Sequence, residues 1–518
     1  MNDGARADSS TAQSVSPVVP IPASAAARFS ARLLDPDQWP VGDDGRPASP
    51  TLYVGDRIVV PGSSERSADS AVKLVQELVG DRARVVVVRS QTTGERNYRE
   101  LGLDERIRAV APTVLRLVPT SADPRPVDAA QWVLRARDAG IPAGLSHIMT
   151  VAGYLQGVGY LQGVGYLQGV GYLQGVGYLQ GVGYLQGVGA EAAGASRAPV
   201  SWAAPDPADG VDNSDGPVVA LLDTGIGEHT WFTHSTDRNP SLGGQPIGLR
   251  FAPADDTEQS GVTLDRVNGT LDPLAGHGTF VAGIVRQHCP TASLISAPVM
   301  YGDGTADETD LLAALTDLYV YHLLACGGHT DARPIDVLSL SMGYYAESPD
   351  AVVHGSALAA ILKAFGDAGV SVVAAAGNDA TTTPFFPAGL AAGGGGSVPL
   401  AAVGATDPGQ ALVSVYSNTG SWVTAYRAAT NVVSTMPITF NAAARATLST
   451  NGGSLPARAS VDMDDYSAGF GIWSGTSFAA PALAGDIAAA LGSNAGPDDD
   501  SRRHRLTAAV QSCLGDPS

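Results

Sequence analysis

The chain has 518 residues, 44% of them hydrophobic, with 51 acidic against 31 basic side chains and a formal net charge of −20. That length exceeds one ordinary core and predicts two or three folded units. The acidic balance excludes the basic face that nucleic-acid binding needs, and three distant cysteines, Cys289, Cys326 and Cys513, argue against a disulfide framework while leaving one pair open.

Residues 1–48 are rich in Ser, Ala, Pro and Asp and are expected to form a disordered arm. The opening MNDGARADSS lacks a basic stretch followed by an apolar one, so no ordinary secretory signal is visible. The expected location is cytoplasmic, with an extracellular one by a non-standard route as the alternative. A small α+β domain follows over 49–150. LYVGDRIVV (52–60), ARVVVVR (83–89) and TVLRLV (113–118) have strand character, as does a short run near 141–148. SADSAVKLVQELV (67–79) and VDAAQWVLRARDA (127–139) have apolar residues at helical spacing. The order strand-helix-strand-strand-helix-strand suits a split βαβ, ferredoxin-like domain.

Residues 151–198 form a linker that carries GYLQGV six times without change, over 153–188. No Asp, Glu, Lys or Arg occurs over 139–190, which invites a membrane span. Each hexamer, however, holds two Gly, poor helix formers, and one Gln whose amide would need a partner in lipid. A membrane partner is therefore disfavoured. A tandem expansion within a tether is the preferred account, and association of identical copies between chains is the alternative.

From 199 to 518 nearly continuous hydrophobic runs alternate with helical patterns. VVALLD (218–223), ASLISAPV (292–299), IDVLSLSMG (335–343), VSVVAAAGN (370–378) and VPLAAVGA (398–405) read as strands buried on both faces. Helices are predicted over 279–287, 309–324 and 351–367. The expected fold is a doubly wound, mostly parallel α/β domain, whose sites form at the carboxyl ends of strands.

Three stretches carry chemistry. VVALLDTGIG ends a buried strand on Asp223; alone, Asp-Thr-Gly is a turn. GHGTFVAGIV puts His277 where a helix begins; alone, such a His is structural more often than not. SGTSFAAPALAG puts Ser477 at the start of a small-residue helix; alone, it is an N-cap. Together they supply a hydroxyl nucleophile, a base to take its proton and an anion to hold the base. VVAAAGND adds Asn378, an amide placed to donate to a developing oxyanion, or a simple turn residue.

DTGIG, GHGTFVAGI, AAAGN and GTSFAAPALAG, in that order, resemble the signature segments of the subtilisin-like serine proteases, the subtilases. The resemblance spans about 200–491. It implies a subtilisin-like fold and a serine endopeptidase acting on polypeptide through an acyl-enzyme, with Asp223, His277 and Ser477 as the triad and Asn378 in the oxyanion hole. It implies that Ser341, Met342 and Gly343 in SLSMG form the strand edge that holds an extended substrate, although they also suit an ordinary strand end. The chemistry requires no cofactor and no metal ligands are assigned; the family often binds calcium, but no calcium loop stands out and the scattered Asp residues read as solvated surface. Stretches within 230–272 and over 438–472 are roomier than in compact subtilases and are expected to be surface loops. The 49–150 domain is either a prodomain that inhibits intramolecularly until it is cut, or a regulatory domain that stays. A catalytically silent binding or regulatory protein of the same fold is the alternative function.

Overall fold

The computed structural model describes residues 21–41, 45, 47–63, 68–88, 98–120, 126–151, 197–393, 396–446, 449–450 and 456–514. The six-copy repeat lies outside the described residues.

Chain order begins with α1 (Ala23–Arg28) and β1 (Ala31–Leu33), inside the segment expected to be a disordered arm. That expectation is corrected over residues 21–41. Ser/Ala/Pro-rich composition masks four apolar anchors: Ala25, Phe29, Leu34 and Trp39 are all buried. β1 pairs with the strand that starts at Leu52, and Arg28 ties the segment to the second domain through Asp303 (2.9 Å) and the face of Tyr301.

The first domain has four main strands, β2 (Leu52–Val60), β3 (Ala83–Val88), β4 (Thr113–Pro119) and β5 (Gly144–Val151). They pair antiparallel in the order β5-β2-β4-β3. Two amphipathic helices, α2 (Ala68–Val79) and α4 (Ala129–Asp138), share one core with this sheet: Val75 and Val79 from α2, Trp132 and Val133 from α4, Ile58, Leu115 and Leu117 from the strands. Taking the four strands in sequence, the spatial order is fourth, first, third, second, as in a split βαβ. Between β3 and β4 lies α3 (Asp104–Val110), which the sequence pattern did not signal. It turns Ile107 and Val110 away from this core and into that of the second domain.

In the second domain the hydrophobic runs pair as expected. β6 (Val218–Asp223), β7 (Thr236–Asp237), β8 (Ser293–Pro298), β10 (Val337–Leu340), β12 (Ser371–Ala375), β14 (Ala401–Thr406) and β15 (Ala425–Ala428) form a parallel sheet in the order β15-β14-β12-β10-β6-β8-β7. The chain crosses from one side of β6 to the other, so β6 marks the switch point at which α/β sheets place their sites. The helices are α5 (His277–His288), α6 (Glu308–Cys326), α7 (Pro349–Gly355), α8 (Ala357–Asp367), α9 (Thr476–Leu491) and α10 (Asp499–Leu514). The single helix expected over 351–367 breaks at Ser356, whose hydroxyl caps α8 by accepting the Ala359 N–H (3.0 Å). The three cysteines are free.

Three short strands serve the junction between the domains: β9 (Thr305–Asp307), β11 (Met342–Tyr345) and β13 (Phe385–Phe386). The first half of β5 pairs with β2 in its own domain. Its second half lies between β9 and β11, antiparallel to both: Thr150 faces Thr305 and Gly343, and Val151 faces Met342. One strand therefore belongs to both domains.

Candidate active site

Each motif residue stands at the end of an element. Asp223 is the last residue of β6, His277 the first of α5 and Ser477 the second of α9. Asn378 follows β12 by three residues. The helix starts depend on glycine. Gly276 precedes α5 with φ +85°, and a Cβ there would meet Met436 Cε at 2.5 Å; Gly475 precedes α9 with φ +153°. Both backbone conformations disfavour side chains.

The structure brings Asp223 and His277 into direct contact. His277 Nδ1 donates to Asp223 Oδ1 at 2.7 Å, with the two side chains 1% and 3% exposed. That bond selects the tautomer that leaves Nε2 as a base. Nε2 is buried and has no hydrogen-bond partner among the described residues. The backbone N–H of Thr224 also donates to Asp223 Oδ1 (2.8 Å). Trp473 and Phe478 set their rings about the imidazole, at 5.6 and 5.4 Å between centroids.

Ser477 lies in the same buried region but turns elsewhere: its Oγ donates to the Ser341 carbonyl at 3.2 Å. Ser341 in turn donates its own hydroxyl to the Ser477 carbonyl at 2.9 Å. The second bond has a cause in the sequence. Pro481 sits inside α9 and has no N–H, so the carbonyl four residues before it, that of Ser477, lacks its helical donor. Ser341 fills that vacancy. Asn378 is fixed by its oxygen, which accepts the Thr476 N–H and hydroxyl, both at 2.8 Å. Its Nδ2 then lies beside Gly475, 3.3 Å from where a Cβ would stand. Gly343 admits no side chain, since a Cβ would meet the Phe386 carbonyl at 2.2 Å.

The junction with the first domain adds a second buried histidine. His147, in β5, has Nδ1 at 2.7 Å from Glu308 and Nε2 at 2.9 Å from Glu347, and stacks on Tyr344 at 4.0 Å. Burial pushes the imidazole down, but the two carboxylates more than offset this and hold it at about 9. The same contact holds Glu347 below its ordinary value, against burial. Arg57 pairs with Asp307 and donates to Thr309 (2.7 Å), joining β2 to the start of α6.

Several of these residues were invisible in the sequence. Thr476 and Thr224 lie inside the motifs but carried no separate signal. His147, Glu308 and Glu347 are 161 and 200 positions apart in pairing, and no local pattern joins them. The stretches expected as surface loops are corrected in part: Trp231, Phe232, Glu258, Asp272, Phe440 and Tyr466 are all buried. Asp272 is no solvated carboxylate either, since it accepts the N–H groups of Thr263 and Leu264. Glycine-rich composition conceals such anchors because a few buried residues suffice to pin a long loop. A cavity of about 730 Å³ opens beside this loop, lined by Gly225, His229, Arg238, Arg250 and Glu258 but by none of Asp223, His277 and Ser477. Among the described residues no cluster of His, Cys, Asp and Glu is arranged to hold a metal ion, and no helix is long and apolar enough to cross a membrane.

His277, held by the Asp223 carboxylate, and Ser477 thus both begin helices packed on a parallel α/β sheet. The particular family follows from comparison: the Subtilase family pattern matches residues 214–512, more than half of the chain, and the chain belongs to that family of serine proteases. No curated protein matches the chain. Among solved structures, a cold adapted subtilisin-like serine proteinase is similar at 20% identity, covering 57% of this chain and 82% of that one, with a TM-score of 0.35.

Proposed function

We propose that the chain is a serine endopeptidase whose first domain inhibits it until the chain cuts itself. The observation that carries the chemistry is the 2.7 Å bond from His277 to Asp223, made where Ser477 begins its helix. His277 Nε2 takes the proton of Ser477 Oγ as the oxygen attacks the scissile carbonyl. Asp223 holds the imidazole and stabilises its cation. The Asn378 amide and the Ser477 backbone N–H receive the oxyanion. His277 then protonates the leaving amine, and water repeats the sequence to release the acyl group. For the attack to start, the Ser477 hydroxyl must leave the Ser341 carbonyl and rotate towards His277. No metal or cofactor enters any step.

The inhibitory role rests on β5. An extended polypeptide held between β9 and β11 is how a protease cleft would hold substrate by strand addition, and Met342 and Gly343 are already paired with Val151 and Thr150. Both sides of the strand are engaged, which suits cutting within a chain and hence an endopeptidase. β5 ends at Val151, opposite Met342, and in sequence Ala152 and then Gly153, the first residue of the repeat, follow it. Self-cleavage after Ala152 would leave GYLQGV at the new N-terminus. The test is mass spectrometry of the N-termini of wild type and Ser477→Ala, with a covalent serine-hydrolase probe. A Gly153 N-terminus and labelling in wild type alone support the proposal. An intact, unlabelled wild-type chain refutes it; a labelled chain that is never cut refutes the inhibitory domain but not the enzyme.

A further inference from the structure

A second carboxyl lies behind the Asp223–His277 pair. Glu258 comes from the loop after β7 and is 1% exposed. Its Oε1 meets the Thr224 hydroxyl at 2.5 Å and accepts the Gly276 N–H at 3.1 Å; its Oε2 meets the Thr279 hydroxyl at 2.5 Å. All three partners neighbour the triad in sequence: Thr224 follows Asp223, and Gly276 and Thr279 flank His277. Thr224 Oγ1 also stands 3.2 Å from Asp223 Oδ1 and accepts the Gly278 N–H at 2.8 Å. The hydroxyl has one proton and two carboxyls within reach.

We propose that Glu258 is a positioning residue for the protease reaction: whether its carboxyl carries a proton decides, through Thr224, how strongly Asp223 supports the His277 imidazolium. When Glu258 is neutral, its proton can go to Thr224, whose own proton then goes to Asp223 and disperses part of that charge. When Glu258 is ionised, Thr224 donates to Glu258 instead. Asp223 loses the bond, and a second negative charge stands nearby in a buried region. Both changes favour the imidazolium that forms as Ser477 attacks. Burial pushes the Glu258 carboxyl up, the threonine hydroxyls pull it back, and the carboxylates of Asp223 and Asp256 raise it again, leaving it at about 8. Among the described residues, the charged or titratable groups that line the adjacent cavity with Glu258 are Glu228, His229, Arg238, Arg250 and Asp256, and His277 follows Gly276, whose N–H Glu258 accepts.

The inference rests on the peptidase activity proposed above. Its test is the pH profile of kcat/KM for a peptide substrate in processed wild type, Glu258→Gln, Thr224→Val and Thr224→Ser, each normalised to active sites by a covalent titrant. Gln reproduces the neutral acid in shape and charge. Below about pH 7, wild type and Glu258→Gln should agree. Above about pH 8, wild type should show a second rise that the Gln variant lacks, leaving it faster by about tenfold. Thr224→Val should keep only the part of that rise due to the added charge, and Thr224→Ser should keep it whole, which tests the relay should Glu258→Gln fail to fold. Superimposable profiles overturn the proposal, and so does a uniform loss at every pH, which would make Glu258 structural only. An unlabelled, inactive wild type would instead overturn the peptidase reading, and this inference with it.

Discussion

The domain junction and the candidate active site each hold a buried histidine against a carboxylate at 2.7 Å, and they are opposites. His147 has both ring nitrogens engaged, by Glu308 and Glu347, and a stacked Tyr344. His277 has one carboxylate, and among the described residues its second nitrogen is buried without a partner. Two carboxylates lock a proton onto an imidazole, which then fastens one surface to another. One carboxylate orients the ring and leaves a lone pair for a reaction. A buried His–carboxylate pair thus says little about function until the second nitrogen has been followed.

The contrast can be broken from either side. The largest effect is expected at the active site. Ser477→Ala should lower kcat by on the order of 10⁶, the scale of the corresponding loss in subtilisin, and leave the chain uncut; a residual rate within tenfold of wild type would remove Ser477 from the mechanism. Asn378→Ala should lower kcat by about 10²–10³ with little change in KM, measured by steady-state kinetics on a short peptide.

The junction should respond to pH. His147 is held at about 9 in the docked state, against 6.5 ordinarily. A raised value means that its contribution is present in full below about pH 6.5 and lost as pH climbs through about 9. Glu347 is depressed, so its contribution is lost as pH falls through its lowered value. After self-cleavage, the affinity of the first domain should fall by about a hundredfold from pH 6.5 to pH 9 and above. His147→Gln should bind more weakly at low pH and flatten the dependence. Size-exclusion or competition measurements across that range would check it, and a pH-independent affinity in wild type would dissolve the distinction between the two histidines. At the strand edge, Gly343→Ala puts a methyl into the Phe386 carbonyl and should cost about 1–3 kcal/mol of stability, read by thermal unfolding. The smallest effect is expected from the tether: deleting four of the six GYLQGV copies should leave kcat/KM of the processed enzyme within about twofold, since the repeat contains no nucleophile, base or charge.

The parallel sheet was legible because its strands are near-continuous hydrophobic runs. The places of Asp223, His277 and Ser477 at the ends of elements were legible because each sits in a short motif whose glycines mark tight starts and turns. α1 and β1 were not, since a few anchors are diluted among Ser, Ala and Pro. Glu258 was not, because nothing around TEQSG distinguishes a buried carboxyl from a solvated one.

The sequence by itself determined which residues the motifs hold and on which kind of element each stands, because motifs and periodicity are local properties of the chain. Only the tertiary structure decided their surroundings. It set β5 between β9 and β11, closed Glu308 and Glu347 on His147, turned Ser477 to the Ser341 carbonyl and placed Glu258 behind Asp223. The reason is physical: proton affinity, burial and strand pairing depend on groups tens to hundreds of residues away, and no local pattern encodes what a fold will bring within 3 Å.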